Sequence, residues 1–202
     1  MSGQLFIISA PSGGGKTSLV AALVSQDANL QVSISHTTRK PRPGEVNEKN
    51  YYFIDVDNFK SMVENQAFLE HAEVFDHYYG TSWKSVENII ASGKDAILEI
   101  DWQGAQLIKQ QMECVTLFII PPSKQSLAQR LKNRGQDSDT TITQRMNKAA
   151  TEMQHYPEYD YLIINDEFND ALNDIKSIIR ASRLKTAQQR LVHTALINEL
   201  IT

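Results

Sequence analysis

The stretch Ala10-Pro11-Ser12-Gly13-Gly14-Gly15-Lys16-Thr17 constrains this chain more than any other part of it. An apolar run, Leu5-Phe6-Ile7-Ile8, precedes it and reads as a buried strand. Ser18-Leu19-Val20-Ala21-Ala22-Leu23-Val24 follows with the apolar spacing of one helix face. Strand, glycine-rich turn, then a helix opening on Lys16-Thr17 is the context of a phosphate-binding loop. Glycines let consecutive backbone N–H groups curl inward toward an anion, and the positive end of the new helix faces the same point. Lys16 is placed to reach outer phosphates, and the Thr17 hydroxyl to ligate Mg²⁺. Ala10 departs from the general pattern, which has glycine there, and its methyl disfavours a positive φ. Gly15, Lys16 and Thr17 keep the other anchors, and an ordinary glycine-rich turn is the weaker alternative.

A chain of 202 residues buries a real core without staples and suits one α/β domain with inserted subdomains. A net charge of -4 gives no global basic footprint for nucleic acid, so a polyanion site must be a local arginine cluster. The single cysteine, Cys114, rules out an internal disulfide and reads as a small thiol beside a core strand. His71 and His77 do not have metal-ligand spacing, which argues against zinc. There is no signal-peptide pattern and no apolar run of membrane-spanning length, so a cytoplasmic protein without membrane partners is expected. The sequence leaves room for a homo-oligomer.

Leu30–Ser35 alternates like a half-buried strand, and His36–Glu45, with two prolines and a glycine, reads as a loop. That loop carries Arg39, Lys40 and Arg42, which fit either a solvated turn or an anion site beyond a strand. Tyr51–Ile54 is β-prone; Asp57 is expected to cap a short helix through Glu64; 68–75 and 77–81 read as strands around a turn. Residues 36–82 thus form a β-rich, aromatic insertion between α/β units. A helix over 82–91 and a strand over 96–101 follow. Two roles are open to Asp101 at that strand's end: metal or substrate contact, and N-cap of the helix over 103–112. Val115–Ile120 is a strand, and two helices between Ser123 and Met153 carry Arg130, Arg134 and Arg145. Tyr161–Ile164 is a short strand ending at Asn165-Asp166, before a long helix from about Asn169 to Ile201, with a break placed near Lys185. Alternating strands and helices after a phosphate loop imply a parallel sheet wrapped by helices, with ligands at the strands' carboxyl ends. Thr17, Ser35, Asp101 and Asn165 fall at or just past such ends.

The chain resembles bacterial-type guanylate kinases, a P-loop nucleoside monophosphate kinase family. The resemblance rests on residues 9–17, Thr-Thr-Arg-Lys-Pro-Arg-Pro-Gly-Glu (37–45), Tyr-Tyr-Gly-Thr (78–81), Ile-Asp-Trp-Gln-Gly (100–104), Arg134-Gly135 with Arg145, and Ile164-Asn165-Asp166. It implies a P-loop NTPase-type parallel sheet wrapped by helices, with a core (1–35, 83–123, 151–202), a GMP-binding insertion (36–82) and a helical lid (124–150). It implies Mg²⁺-dependent transfer of the γ-phosphoryl group of ATP to GMP, and to dGMP, giving ADP and GDP. The ATP site carries over to Ala10, Pro11, Ser12, Gly13, Gly14, Gly15, Lys16, Thr17, Ser18 and Asn165, with Asn165 near adenine and Thr17 on the metal. Arg39 and Arg42 would grip the GMP phosphate with Tyr51 and Tyr79. Ser35, Glu70, Thr81 and Asp101 would contact guanine. Lys16, Arg39, Arg134 and Arg145 would stabilise the transferring group. Glu99 stands where some members have aspartate and His36 where some have serine; neither receives a role.

The residues argue the same chemistry independently. Phosphoryl transfer needs positioning and positive charge, which arginine supplies through its planar fork. No catalytic base is required, because the attacking phosphate oxygen is already ionised. By sequence alone Glu70 fits a solvent-side strand residue as well as a base partner, and Arg130 fits a solvent-facing helix position. A rival class is a non-catalytic guanylate-kinase-like protein-binding module; the intact Lys16 and Thr17 favour the enzyme.

Overall fold

A computed structural model describes residues 3–74, 76–133 and 139–202. The elements are β1 (Leu5–Ser9), α1 (Lys16–Gln26), β2 (Leu30–Val32), β3 (His36–Thr37), β4 (Tyr52–Phe53), α2 (Val56–Glu64), β5 (Phe68–Val74), β6 (His77–Ser82) and α3 (Trp83–Ala91). They continue as β7 (Asp95–Glu99), α4 (Trp102–Lys109), β8 (Val115–Ile120), α5 (Lys124–Asn133), α6 (Asp139–Met153), β9 (Tyr161–Ile164), α7 (Phe168–Arg183), α8 (Thr186–Val192) and α9 (Thr194–Ile201). A five-stranded sheet has the order β2-β7-β1-β8-β9, and a four-stranded sheet the order β4-β3-β6-β5. In the first, β2 pairs parallel with β7 and β8 parallel with β9; α5 and α6 form the helical crossover from β8 to β9. All of β1 is buried, which explains why its sequence is continuously apolar rather than alternating.

The chain forms two compact units. One comprises Ile8–Ala28 and Val115–Thr202. Here α1 packs on α7, whose Ala171, Leu172, Ile175 and Ile179 are buried. Leu127, Leu131, Ile142 and Ala149 of α5 and α6 form their own cluster, with Met146 and Met153 packed on it. The helical periodicity of 142, 146, 149 and 153 is the sequence signature of that seam. The expected long C-terminal helix is three: α7 ends at Arg183 with Leu184 as its C-cap, and a second break at His193, not expected from the sequence, separates α8 from α9.

The other unit comprises Gly3–Ile7 and Asn29–Cys114. Residues 36–37, read from sequence as loop, are strand: His36 and Thr37 pair with β4 in parallel and with β6 in antiparallel register. The cause is tertiary, since a two-residue strand has no periodicity to detect and forms because two neighbours supply its partners. Asp55, rather than Asp57, caps α2, its carboxylate accepting from Asn58 N–H at 2.7 Å. Phe59 stacks between Phe68 and Tyr78, with ring centroids at 4.5 and 5.4 Å, and anchors α2 to the antiparallel β5–β6 pair. His36 lies in the same aromatic layer, 4.7 Å from the Tyr52 ring, and burial holds its imidazole below the usual histidine range.

Candidate active site

The bend after β1 is carried by two glycines. Gly13 has φ +90° and Gly15 φ +97°, values that L residues rarely adopt. Space excludes side chains there as well: a Cβ at Gly13 would meet Leu127 Cδ1 at 2.8 Å, and one at Gly15 would collide with Asn165 Nδ2. Ala10 is absent from the positive-φ residues, so the loop needs no glycine at that position. Gly15 is the N-cap of α1 without a side-chain cap, and no acidic residue occupies the first turn, which leaves the helix's positive end to an anion. Lys16 is half-buried at this turn; Thr17 and Ser18 are exposed. Two loop amides serve the protein itself: Gly14 N–H donates to Pro11 O at 2.9 Å, and Ser12 N–H to Glu152 Oε2 at 3.3 Å.

Asn165, immediately after β9 and buried, fastens this loop. Its Nδ2 donates to Gly14 O at 2.8 Å, and its carbonyl accepts from Arg130 Nη2 at 2.8 Å. Beside it lies a cavity of about 290 Å³ lined by Gly13, Gly15, Ser18, Arg130, Asn165, Asp166 and Phe168. Arg130 is therefore not the solvent-facing helix residue that its sequence position allows. Its Nη1 is shielded from solvent without a hydrogen-bond partner, and such a cation edge favours an anionic ligand.

The other unit holds its own pocket, about 170 Å³, lined by Ser35, Tyr51, Glu70, Ala72, Tyr79, Glu99, Ile100 and Asp101. Strand alternation and a register shift between Phe68 and Glu70 turn Glu70 inward, where it is 7 % exposed. The Thr81 hydroxyl donates to Glu70 Oε1 at 2.6 Å. Burial raises the Glu70 pKa to about 7, and the neighbouring Asp101 charge pushes the same way, against the Thr81 hydrogen bond. Ser35 Oγ lies 3.5 Å from Thr81 Oγ1. Thr81 has one proton and gives it to Glu70, so Ser35 is the donor in this contact, a long one at the limit of hydrogen-bond distance. Asp101 caps α4, its Oδ1 accepting from Gly104 N–H at 3.0 Å, and it also lines the pocket.

Arg39 lies near this pocket's tyrosines, its guanidinium 5.4 Å from the Tyr51 ring centre, with Tyr51 edge-on to Tyr79 at 6.0 Å. It pairs with Glu45 at 2.9 Å, which raises the arginine's pKa and lowers that of the carboxyl. Glu45 Oε2 also accepts from Arg42 N–H at 2.7 Å. The 39–45 loop is thus built around a carboxylate held by two cationic residues, while the Arg42 side chain is exposed.

A family model for guanylate kinase matches residues 2–182. The chain is 54% identical over 202 residues to the guanylate kinases of Escherichia coli (strain K12) and Salmonella typhimurium, covering 98% of each chain. Its backbone superposes on the crystal structure of guanylate kinase from Anaplasma phagocytophilum with a TM-score of 0.77 at 33% identity, covering 95% of this chain and 94% of that one.

The chain belongs to the guanylate kinase family. By that membership it is a nucleotide-binding kinase of the ATP:GMP phosphotransferase class, with the P-loop α/β fold that the sequence implied.

Within this guanylate kinase fold the residues named from sequence fall into two groups. Gly13, Gly15, Ser18 and Asn165 line one cavity, and Ser35, Tyr51, Glu70, Tyr79 and Asp101 line the other, with Thr81 bonded behind Glu70. Arg145 is half-buried on α6 and lines neither; Arg134 lies outside the described residues. Sequence reasoning missed Arg130, Glu45 and Phe168. The only signals were their spacings: Arg130 four residues before Arg134, and Glu45 closing the basic turn. Glu99, left without a role, lines the second pocket.

Proposed function

We propose that this protein phosphorylates GMP, and dGMP, with the γ-phosphoryl group of ATP, releasing GDP or dGDP and ADP. The observation that carries the reading is the buried Glu70 carboxyl beside Ser35, Asp101 and Glu99. Guanine presents N1–H and its 2-amino group as adjacent donors, with O6 as acceptor. An ionised carboxylate accepts only, so Glu70 matches the two donors and repels the N1 lone pair of adenine. Ser35 supplies the proton for O6 by giving up its long, 3.5 Å contact with Thr81. Arg39, which also pairs with Glu45, and Arg42, with the Tyr51 and Tyr79 hydroxyls, receive the GMP phosphate.

ATP lies with its phosphates on the Gly13 and Gly15–Ser18 amides and Lys16, and with its base in the cavity of Arg130, Asn165 and Phe168. Arg134 and Arg145 belong to the lid (124–150) and meet the transferring group, so their loss lowers turnover more than GMP affinity. The GMP-binding segment is 36–82, and the core is the remainder. Among the described residues no group of three or more acidic, His or Cys side chains could hold a metal. Mg²⁺ carried in on ATP fits the residues present, because the exposed Thr17 hydroxyl is a hard oxygen donor at the first turn of α1. When bound, it neutralises phosphate charge. A cytoplasmic location agrees with the described residues, where no helix is long and apolar enough to cross a membrane.

The test is ADP release with ATP, Mg²⁺ and a panel of nucleoside monophosphates, using wild type and Glu70→Gln. Wild type should favour GMP over AMP by roughly ten-thousandfold, since pockets built to pair one base reject an analogue that leaves them unpaired. Glu70→Gln should narrow that ratio. Equal turnover of AMP and GMP by wild type would refute the reading.

A further inference from the structure

Gly104 is the third residue of α4 and is buried. Nothing in its role as a helix residue asks for glycine, and alanine is the better helix former. What distinguishes the position is its neighbour. A Cβ at Gly104 would lie 2.9 Å from Glu70 Oε2 and 3.2 Å from Glu70 Cδ, with Ile100 Cδ1 at 3.3 Å. The Glu70 carboxylate therefore rests directly against the first turn of α4, in space that any side chain at 104 would fill.

We propose that Gly104 is a positioning residue for guanine recognition: its missing side chain sets where the Glu70 carboxylate stands in the base pocket. This rests on the proposed reading of Glu70 as guanine's partner. The carboxylate is fixed from two sides. Thr81 holds Oε1 at 2.6 Å, and the Gly104 backbone bounds Oε2. A methyl at 104 meets the far end of a side chain rather than backbone, so the fold can survive while the carboxylate moves. It cannot move without lengthening a short charge-assisted hydrogen bond and tilting the plane that faces N1–H and the 2-amino group. The Gly104 N–H is already committed to Asp101 Oδ1, so the second wall of the pocket is held by the same residue.

The experiment is steady-state kinetics of wild type, Gly104→Ala, Glu70→Gln and the double variant, with thermal unfolding of each. Gly104→Ala should raise KM for GMP about tenfold or more, the scale of a misaligned pair of charged hydrogen bonds. It should leave KM for ATP and the thermal midpoint close to wild type. In the double variant the two losses should fall well short of multiplying, because both act through one carboxylate. A Gly104→Ala protein with wild-type KM for GMP, beside a Glu70→Gln protein that loses it, would overturn the role of Gly104 and leave that of Glu70. Multiplying losses, or a Gly104→Ala chain that has no cooperative unfolding transition, would assign Gly104 to packing and overturn the inference. An unchanged KM for GMP in Glu70→Gln would instead sink the base-pocket reading itself.

Discussion

Thr81 gives its only hydroxyl proton to Glu70, 2.6 Å away, inside a pocket that leaves the residue 7 % exposed. The bond favours the ionised carboxylate while burial and Asp101 oppose it, and burial prevails, with a pKa of about 7.

That balance predicts two opposite pH dependences. The folded pKa lies above the ordinary value of 4.5, so the folded protein binds the extra proton. Glu70's contribution to stability is complete below about pH 4.5 and is lost as pH rises through about 7, by at most about 3 kcal/mol. Guanine needs the ionised form, so the GMP-over-AMP preference should fall as pH drops below about 7; taking the ratio cancels titration of the nucleotide phosphate. Urea unfolding and paired kinetics between pH 5 and 8 check both slopes, and Glu70→Gln should flatten each.

Lys16 sits half-buried where α1 opens. Lys16→Ala should lower turnover about a hundredfold or more with an unchanged circular dichroism spectrum, because a preorganised charge on the transferring group is removed. Near-normal turnover in a folded protein would exclude the role.

Arg39 bears on phosphate rather than base. Arg39→Ala should raise KM for GMP and AMP alike, by about ten- to a hundredfold for a lost charge-assisted pair. The ratio between the two nucleotides should stay near that of wild type, which separates this variant from Glu70→Gln.

Gly15→Ala tests the loop geometry. A positive φ of +97° and a collision with Asn165 Nδ2 should cost about 1–3 kcal/mol of stability, read by denaturant unfolding, and should raise KM for ATP. Gly44→Ala is the control: its φ is +87°, but no atom lies within 4 Å of the added Cβ.

Much of the site was legible because it is local. A phosphate loop is one strand, one turn and one helix start, so Gly13 to Thr17 announce it without any distant partner. The alternation of apolar strands and amphipathic helices likewise implied a parallel sheet, though not which strands are neighbours; the structure pairs β2 with β7 and β8 with β9. Asp101 showed its capping role at the end of a strand. Arg130 was illegible: its helix position fits solvent, and only the carbonyl of Asn165, 35 residues away, turns the guanidinium to the cavity.

The sequence by itself determined the fold class, the phosphate loop and the family, since periodicity and contiguous motifs encode them within short stretches. Tertiary structure decided what depends on distance in space. It made His36-Thr37 a strand by giving it two neighbours, moved Glu70 from a solvent-side alternative to a buried carboxyl, and set that carboxyl against a glycine 34 residues later. The charge state of Glu70 follows from the same cause. Desolvation belongs to the packed surroundings of a group, and no run of residues along the chain carries it.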